Sequence, residues 1–349
     1  MSNDINLDSA FTLKNGTVIK NRLFKSAMSE QLGTKDHNPT KGLATLYKTW
    51  AEGGLGLSIT GNIMIDRTAL GEPKNVVLDT QSDLEPFKKW AQAGSVNGSH
   101  IWPQLNHPGK QIPNFITEEP VAPSAIALEG GLEKGFNTPR ALTEKEILDI
   151  IQKFATAAEL SKKAGFTGVQ IHGAHGYLVS QFLSPRHNQR DDQWGGSLEN
   201  RMRFVLGVYN AIRDKVGKDF PIGIKLNSAD FMRGGFTEED SMEVVNALAA
   251  AGIDLIEISG GTYESPSMVG HKMKPTTQKR EAYFLEYAEK VRSLIDTPLV
   301  VTGGFRSADG MTTALRSGAT DFIGLARPLA VYPNLPNELM ADATHSVEL

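Results

Sequence analysis

Short apolar runs alternate with longer amphipathic stretches along most of the chain. The apolar runs are rich in β-branched and aliphatic residues, which is typical of parallel strands buried on both faces. The pattern predicts strands at 22–28, 56–60, 100–105, 168–172, 221–227, 254–259, 298–303 and 321–326. Helical periodicity predicts helices between them, near 40–51, 83–97, 143–164, 199–215, 237–251, 279–294 and 307–317, and a weaker eighth helix in "LPNELMADA".

Helix start and stop signals support this order of elements. Thr143 and Thr237 each stand three positions before an acidic residue, and Gly165 and Gly252 stand where a glycine would end the preceding helix. Strands that alternate with helices, without a linker or low-complexity stretch, predict one closed (β/α)8 TIM barrel that spans residues 1–349 as a single domain. An open doubly wound α/β sheet is the alternative, although it usually needs fewer strands.

Two segments fall outside the alternation. Residues 11–21, "FTLKNGTVIKN", predict a β-hairpin around an Asn-Gly turn, which would cover the bottom of the barrel. The Gly- and Pro-rich connection 106–142 follows the third strand and leaves it at the end where such barrels carry their active sites. We expect this insertion to act as a lid; a passive surface excursion is the alternative.

Composition and charge narrow the function classes. The chain has a net charge of −4, which gives no basic footprint for a nucleic-acid partner. It has no cysteine, which excludes disulfides, thiolate metal sites, iron–sulfur clusters and thiol nucleophiles and fits a cytoplasmic protein. The first twenty residues show no targeting pattern, and no apolar run approaches the roughly 18 residues of a membrane span, so we expect no membrane partner.

The fourth predicted strand ends in "IHGAHGY", which places His172, His175 and Tyr177 at the mouth of the barrel. Zinc ligation is one reading, but the helical HExxH spacing is absent. Acid/base hydrolysis is another, but there is no GxSxG elbow and no cysteine. A pair of imidazole donors that hold an oxygen, beside a phenol that delivers a proton, fits these residues best.

Two more strand ends carry polar side chains. Lys225 ends the fifth strand, and we expect it to need an anion that the chain itself does not supply; it could also point outward between helices. Gln104 ends the third strand, and its amide suits the edge of a pyrimidine-like ring, although it could also bind backbone groups. Together they predict a flat heterocycle that becomes anionic.

The last two strand ends predict a phosphate site. Gly303 and Gly304 allow a close backbone approach, and a helix begins near Ser307. Arg327 follows the eighth strand and can hold an anion through two hydrogen bonds. The loops after strands seven and eight are the usual phosphate site of this barrel class.

The polar stretch 184–204 reads as a loop, held by its own side chains, that leads into a helix beginning near Leu198. Its arginines and aspartates, among them Arg190, Asp192 and Arg203, are interpreted as a structural brace for the loop after the fourth strand.

With these motifs in place, the sequence resembles the Old Yellow Enzyme family of FMN-dependent oxidoreductases. The resemblance runs from Phe11 to about Pro333 and is most specific in "HGAHGYLVSQFLSPRHNQRDDQWGGSLENRMRF", "QLNHPGK" and "TGGF…IGLARP". It implies FMN as cofactor, NADPH or NADH as co-substrate and a small molecule with an activated alkene as substrate. The absence of cysteines and of further domains implies the compact, flavin-only branch.

The resemblance also implies roles for individual residues. His172 and His175 would hold a carbonyl or nitro oxygen, and Tyr177 would donate the proton. The flavin would contact Ser26, Ala27, Met28, Ser29, Gly61, Gln104 and Lys225, and its phosphate would contact Gly303, Gly304, Ala326 and Arg327. Ser29 stands where many relatives carry Thr or Cys, so its hydroxyl would meet the carbonyl edge of the flavin and tuning by a thiol is excluded.

The functional hypothesis is therefore reduction of electron-poor C=C bonds. Ping-pong kinetics are expected, because the sequence offers one cluster of pocket residues and no dinucleotide motif GxGxxG follows the first strand. Three alternatives stay open: an amine or alcohol dehydrogenase using the same pocket, a flavin-binding protein without turnover, and a flavin-free phosphate-binding aldolase that uses Lys225 as a Schiff base. The chain could also assemble as a homo-oligomer.

Overall fold

The predicted strands all take part in one closed sheet of a computed structural model that describes residues 5–265 and 284–347. A hairpin of β1 (Phe11–Thr12) and β2 (Val18–Ile19) precedes it. The barrel strands are β3 (Leu23–Lys25), β4 (Leu57–Met64), β6 (His100–Asn106), β9 (Val169–Gly173), β10 (Ile222–Asn227), β11 (Leu255–Ser259), β12 (Leu299–Thr302) and β13 (Phe322–Leu325). All neighbours are parallel, and β3 pairs with both β13 and β4, which closes the barrel. The predicted (β/α)8 barrel is confirmed.

Helices cover the outside of the sheet in the predicted order. They are α1 (Lys41–Glu52), α2 (Leu84–Gly94), α3 (Glu144–Lys163), α4 (Leu178–Leu183), α5 (Leu198–Val216), α6 (Glu238–Ala251), α7 (Leu285–Arg292), α8 (Ala308–Arg316), α9 (Arg327–Val331) and α10 (Leu335–Ala341). The weak eighth helix is confirmed as α10, whereas α4 and α9 were not predicted. Of the helix predicted near 279–294, residues 279–283 lie outside the described residues.

The helix bounds follow the capping residues. The Thr143 hydroxyl accepts from the Glu146 N–H, and the Glu146 carboxylate accepts from the Thr143 N–H at 2.8 Å, which completes a capping box. Gly252 ends α6 with φ +97°, in the left-handed region that glycine adopts most readily. The helix predicted to run to 97 ends at Gly94 instead, because Asn97 has φ +55° and cannot continue it.

Two strands differ from the prediction in length, and both differences shape the site. The first strand was predicted to reach residue 28, but β3 ends at Lys25 and the chain then leaves the sheet. The second was predicted to end at residue 60, but β4 continues to Met64 with a register shift against β6 between Ile59 and Asn62. The shift is the mark of a bulge, which redirects a side chain at the rim of a sheet.

The hydrophobic core has two parts. The larger part fills the space between the sheet and the helices. The smaller part lies inside the barrel and joins inward-facing residues of the strands to Leu13 and Ile19 of the hairpin. The hairpin therefore closes the amino end of the barrel, as the alternating pattern of 11–21 predicted.

The insertion 106–142 leaves the carboxyl end of β6 and contacts the loop after β11. The short strands β5 (Val76–Val77), β7 (Val121–Ala122) and β8 (Arg140–Ala141) add pairings outside the barrel, and β7 pairs with β8 within the insertion. The Glu129 N–H donates to the Glu264 carboxylate at 2.9 Å, and the rings of Phe136 and Tyr263 are 6.2 Å apart. A lid role stays a prediction.

Among the helices of the described chain, none combines the length and apolarity needed to cross a membrane.

Candidate active site

A cavity of about 240 Å³ opens among residues at the carboxyl ends of the barrel strands. It brings together eight residues that the sequence singled out from four separate strand ends. Its lining consists of Ala27, Met28, Ser29, Asn62, Glu72, Gln104, His172, His175, Tyr177, Lys225 and Tyr263. Convergent polar groups at this end of such a barrel are typical of an active site.

The turn after β9 aims its three functional side chains at the cavity. His175 has φ +62° and Gly176 has φ +77°, so the chain turns sharply through the left-handed region. The ring centroids of His172 and His175 are 5.1 Å apart, and those of His172 and Tyr177 are 4.8 Å apart. The turn is held by the His175 N–H, which donates to the Asn227 side chain at 3.2 Å.

Both imidazoles are neutral near pH 7. Burial, with help from His175 and Lys225, lowers the pKa of His172 well below its usual range, and burial with Lys225 lowers the pKa of His175 to about 3. The Ala174 N–H donates to Nδ1 of His172 at 3.3 Å, so that ring carries its hydrogen on Nε2. Nε2 of His175 lies 2.7 Å from the Ser259 hydroxyl.

Tyr177 belongs to a pair of phenols. Its hydroxyl lies 2.8 Å from that of Tyr263, and Asn62 lines the same cavity. Burial, followed by the neighbouring Tyr263, raises the pKa of Tyr177 well above its usual range, and burial also raises the pKa of Tyr263. Both groups therefore keep their protons at neutral pH. Asn62 escaped assignment in the sequence, since it lies beyond a predicted strand end without a recognisable motif.

The expectation that the chain supplies no anion for Lys225 is wrong. Nζ of Lys225 lies 3.1 Å from Oε1 of Glu257, and both side chains are buried. The two residues are direct register partners on β10 and β11, so their side chains leave the sheet side by side. Glu257 sits in the strand sequence "DLIEIS", where its alternation with apolar residues resembles an ordinary strand.

The ion pair belongs to a larger hydrogen-bonded cluster, which we call the floor network. Glu257 accepts from Gln170 at 2.7 Å and from the Thr302 hydroxyl at 2.8 Å. Gln104 donates to Gln170 at 2.7 Å, and the hydroxyls of Thr302 and Ser26 are 2.8 Å apart. The network thus comprises Ser26, Gln104, Gln170, Lys225, Glu257 and Thr302. Of these, Gln104 and Lys225 border the cavity.

A second buried cluster, the strand-one network, consists of Lys25, Glu30, Tyr47 and Gly61. Nζ of Lys25 donates to the Ile59 carbonyl at 2.8 Å and the Ser26 carbonyl at 3.2 Å. Tyr47 accepts from Lys25 and the Gly61 N–H and donates to Glu30. Burial lowers the pKa of Lys25 to about 8.

Gly61 supports the segment 26–29 and is absent from the cavity lining. A Cβ at this position would lie 2.3 Å from the Met28 carbonyl oxygen and 2.1 Å from the Glu30 carboxylate, so the close approach requires glycine. Ser29 was expected to meet the flavin carbonyl edge, but its hydroxyl donates to Glu72 from the loop after β4. Nothing in the sequence pattern had drawn attention to Glu72.

The predicted phosphate residues lie at the ends of neighbouring strands. Gly303 (φ +104°) and Gly304 (φ +86°) follow β12, and α8 begins with the Ser307 hydroxyl accepting from the Gly310 N–H at 3.0 Å. Ala326 precedes α9, and Arg327 is its first residue and is exposed. Phosphate binding by these groups stays a prediction.

The loop 184–197 is braced by its own side chains and by Arg203 of α5, as the sequence indicated. Arg190 bonds to Asp192 and to the carbonyls of Pro123 and Leu142, and Arg203 donates to the Gln193 carbonyl. These arginines therefore tie the loop to the insertion 106–142 and to itself.

The groups present fit a phosphorylated flavin. The lining of the cavity includes an amide, at Gln104, and an ammonium group, at Lys225. Two consecutive left-handed glycines after β12 and the start of α8 give backbone N–H groups for a phosphate.

Comparisons with known proteins agree with this fit. The sequence profile of the NADH:flavin oxidoreductase / NADH oxidase family matches residues 7–345. The chain is 38% identical over 354 residues to the NADH-dependent flavin oxidoreductase iliE of Hypocrea jecorina (strain QM6a), a match that covers 94% of this chain and 87% of that protein.

Solved structures show the same architecture. The Old Yellow Enzyme homologue from Zymomonas mobilis superposes with a TM-score of 0.82 at 25% identity, covering 99% of this chain and 95% of that one. Histamine dehydrogenase from Rhizobium sp. 4-9 superposes with a TM-score of 0.84 at 30% identity, covering 97% of this chain but 48% of that one. The chain thus spans about half the length of that dehydrogenase. It belongs to the NADH:flavin oxidoreductase / NADH oxidase family, and it is an FMN-dependent oxidoreductase of the Old Yellow Enzyme type that uses a nicotinamide dinucleotide.

Proposed function

We propose that the enzyme reduces electron-poor C=C bonds, such as those of enones and nitroalkenes, with NADH or NADPH as the electron source. The observation that carries this proposal is the pairing of a neutral imidazole N–H on His172 with a protonated phenol on Tyr177, with ring centroids 4.8 Å apart, at one cavity. The first group can polarise an activating oxygen, and the second can protonate the carbon beside it.

Several polar residues of the cavity would have separate roles in this reaction. Nε2–H of His172 donates to the carbonyl or nitro oxygen, with His175 beside it as a second donor. Tyr177 delivers a proton to the α-carbon, and Tyr263 holds its hydroxyl in place. Lys225 contributes its ammonium group to the lining of the cavity, where negative charge would develop. The chemistry supplied by bound FMN is hydride transfer, first from the nicotinamide and then to the alkene.

Because one cavity would serve both substrates in turn, we expect ping-pong kinetics. Initial-rate lines at varied alkene concentration should run parallel; intersecting lines would contradict a shared cavity.

The central experiment follows the flavin absorbance of the purified holoprotein. Anaerobic NADH or NADPH should bleach it, and cyclohexenone should restore it. Tyr177→Phe should leave bleaching within about twofold of wild type and slow the return by about 100-fold, since positioned proton donors contribute on this order. Tyr332→Phe, at an exposed phenol, is the matched control. A Tyr177→Phe protein that nicotinamide cannot bleach would refute the proton-donor role.

A second candidate is oxidation of an amine in the same cavity, which the likeness to histamine dehydrogenase favours. Bleaching of the flavin by an amine without any nicotinamide would identify it. A yellow protein that neither donor bleaches would instead indicate flavin binding without turnover.

A further inference from the structure

The cavity contains a carboxylate that the proposed reaction does not use. Glu72 lines it together with His172 and Tyr177. The other charged lining residue is Lys225, and its charge is already balanced by Glu257 at 3.1 Å. The Glu72 carboxylate accepts from the Ser29 hydroxyl, and within residues 5–265 and 284–347 no basic side chain forms a salt bridge with it.

Glu72 is held in place by its own loop. Its backbone N–H donates to the Asn75 side chain at 2.7 Å, and Asn75 is buried. In the same loop, the backbone carbonyl of Lys74 accepts from the Gly33 N–H at 2.9 Å, which ties this loop to the segment after β3. A half-buried carboxylate on a fixed loop keeps a defined position over the cavity.

The field of Glu72 reaches the groups that would touch the substrate. Its negative charge is among the causes that raise the pKa of Tyr177 and of Tyr263. A charged group on a bound substrate would feel the same field, because the site is partly shielded from water.

We propose that Glu72 selects substrates by charge: it disfavours alkenes that carry a carboxylate and favours neutral ones and those that carry an ammonium group. This inference rests on the proposed alkene reduction and narrows its substrate class. A carboxylate entering the cavity would lose water and face the like charge of Glu72, which forms no salt bridge with a basic side chain among the described residues. An ammonium group would find an anion already placed for it.

The test uses three compounds with the same reacting enone: trans-4-oxo-2-pentenoic acid, its methyl ester and its 2-aminoethyl amide. Values of kcat/KM are measured with the wild-type holoenzyme, with Glu72→Gln and with Glu243→Gln. Glutamine keeps an oxygen that can accept from Ser29, so this variant removes the charge and little else. Glu243 is exposed on α6, outside the barrel, and serves as the matched control.

For each protein the readout is the kcat/KM of a charged compound divided by the kcat/KM of the ester. Any change in the nicotinamide step cancels in this ratio. In Glu72→Gln the acid-to-ester ratio should rise by about tenfold, the factor that about 1.4 kcal/mol represents. The amide-to-ester ratio should fall by a similar factor. Ratios that stay within twofold of wild type, or that change equally in Glu243→Gln, would overturn the proposal.

Binding measurements distinguish a failure of this inference from a failure of the proposed function. Dissociation constants of the three compounds for the oxidised holoprotein, measured by calorimetry without nicotinamide, should show the same order and the same dependence on Glu72. If no compound restores the flavin absorbance, alkene reduction is refuted, and the binding ratios still decide the charge preference.

Discussion

Two lysines lie buried in barrel strands of this protein, and their side chains point to opposite faces of the sheet. Lys225 on β10 points into the barrel, borders the cavity and pairs with Glu257. Lys25 on β3 points outward against α1, with Nζ 4.9 Å from the Tyr47 ring centroid and 4.6 Å from that of Trp50. A lysine in a buried strand is therefore a sign of function only when its side chain faces the site.

The two charges are also balanced differently. Lys225 meets a carboxylate directly, whereas Lys25 is held by two backbone carbonyls and the Tyr47 hydroxyl, with Glu30 reached through that hydroxyl. Removing one partner of a direct buried ion pair strongly destabilises the protein, because the other charge is left buried without a partner. A cation surrounded by neutral oxygens and aromatic rings depends less on a single partner.

The largest effect is expected at the direct pair. Lys225→Met leaves the Glu257 carboxylate buried without its cation, so the free energy of unfolding should fall by about 3–5 kcal/mol. Bleaching of the flavin by NADH should also slow, because positive charge is lost at the cavity edge. Urea unfolding and anaerobic stopped-flow absorbance measure the two effects.

The double variant Lys225→Met with Glu257→Gln is the control for this prediction. It removes both charges and keeps a side chain that can bond to Gln170 and Thr302, so most of the stability should return while bleaching stays slow. Recovery of both properties would show that the pair matters to the fold alone.

The pH dependence of stability sharpens the contrast at Lys25. Its pKa is about 8 in the folded chain against 10.5 ordinarily. Between these pH values the unfolded chain binds a proton that the folded chain does not, so the free energy of unfolding should rise with pH, by about 1.4 kcal/mol per unit.

Urea unfolding at pH 8, 9 and 10 measures this, with Lys25→Met as the reference. The stability of wild type relative to the variant should increase across the window. Parallel curves for the two proteins would mean that Lys25 is not held in an unfavourable charged state below pH 8.

A smaller loss of stability is expected at Gly324, which lies beside Ser26, the residue that connects the two networks. Gly324 of β13 lies beside the hydroxyls of Thr302 and Ser26, and a Cβ there would come within 2.0 Å and 2.9 Å of them. Gly324→Ala should therefore destabilise the protein by about 1–3 kcal/mol through overpacking. Thermal unfolding checks this against Gly42→Ala on α1, which has room and should gain stability.

The smallest predicted effect is that of replacing Lys25, the outward-pointing lysine, on catalysis. Lys25→Met should leave the rate of flavin bleaching within about threefold of wild type, since Lys25 is not among the cavity residues and acts only through distance. A rate loss as large as that of Lys225→Met would mean that both lysines serve the site.

The sequence predicted strand order, helix caps and the His172–His175–Tyr177 group because these depend on local pattern. It missed Glu257 and Gln170, because polar residues inside an apolar strand become partners only once the register places them side by side, as it does for Glu257 with Lys225 and for Gln170 with Gln104. It missed Glu72 for a related reason, since a loop residue joins a site through the path of the folded chain. Lys25 illustrates the same limit: alternation shows that two faces exist without showing which face is the inside.

Ser26 of the floor network connects it to the strand-one network, because its carbonyl accepts from Lys25 while its hydroxyl lies 2.8 Å from that of Thr302. Those contacts join positions 276 residues apart in the chain. A barrel recombined from two parent enzymes, with the first strands from one and the last from the other, would take Ser26 and Thr302 from different ancestors. Exchange of half-barrels in this protein should succeed only when these two positions are inherited as a pair.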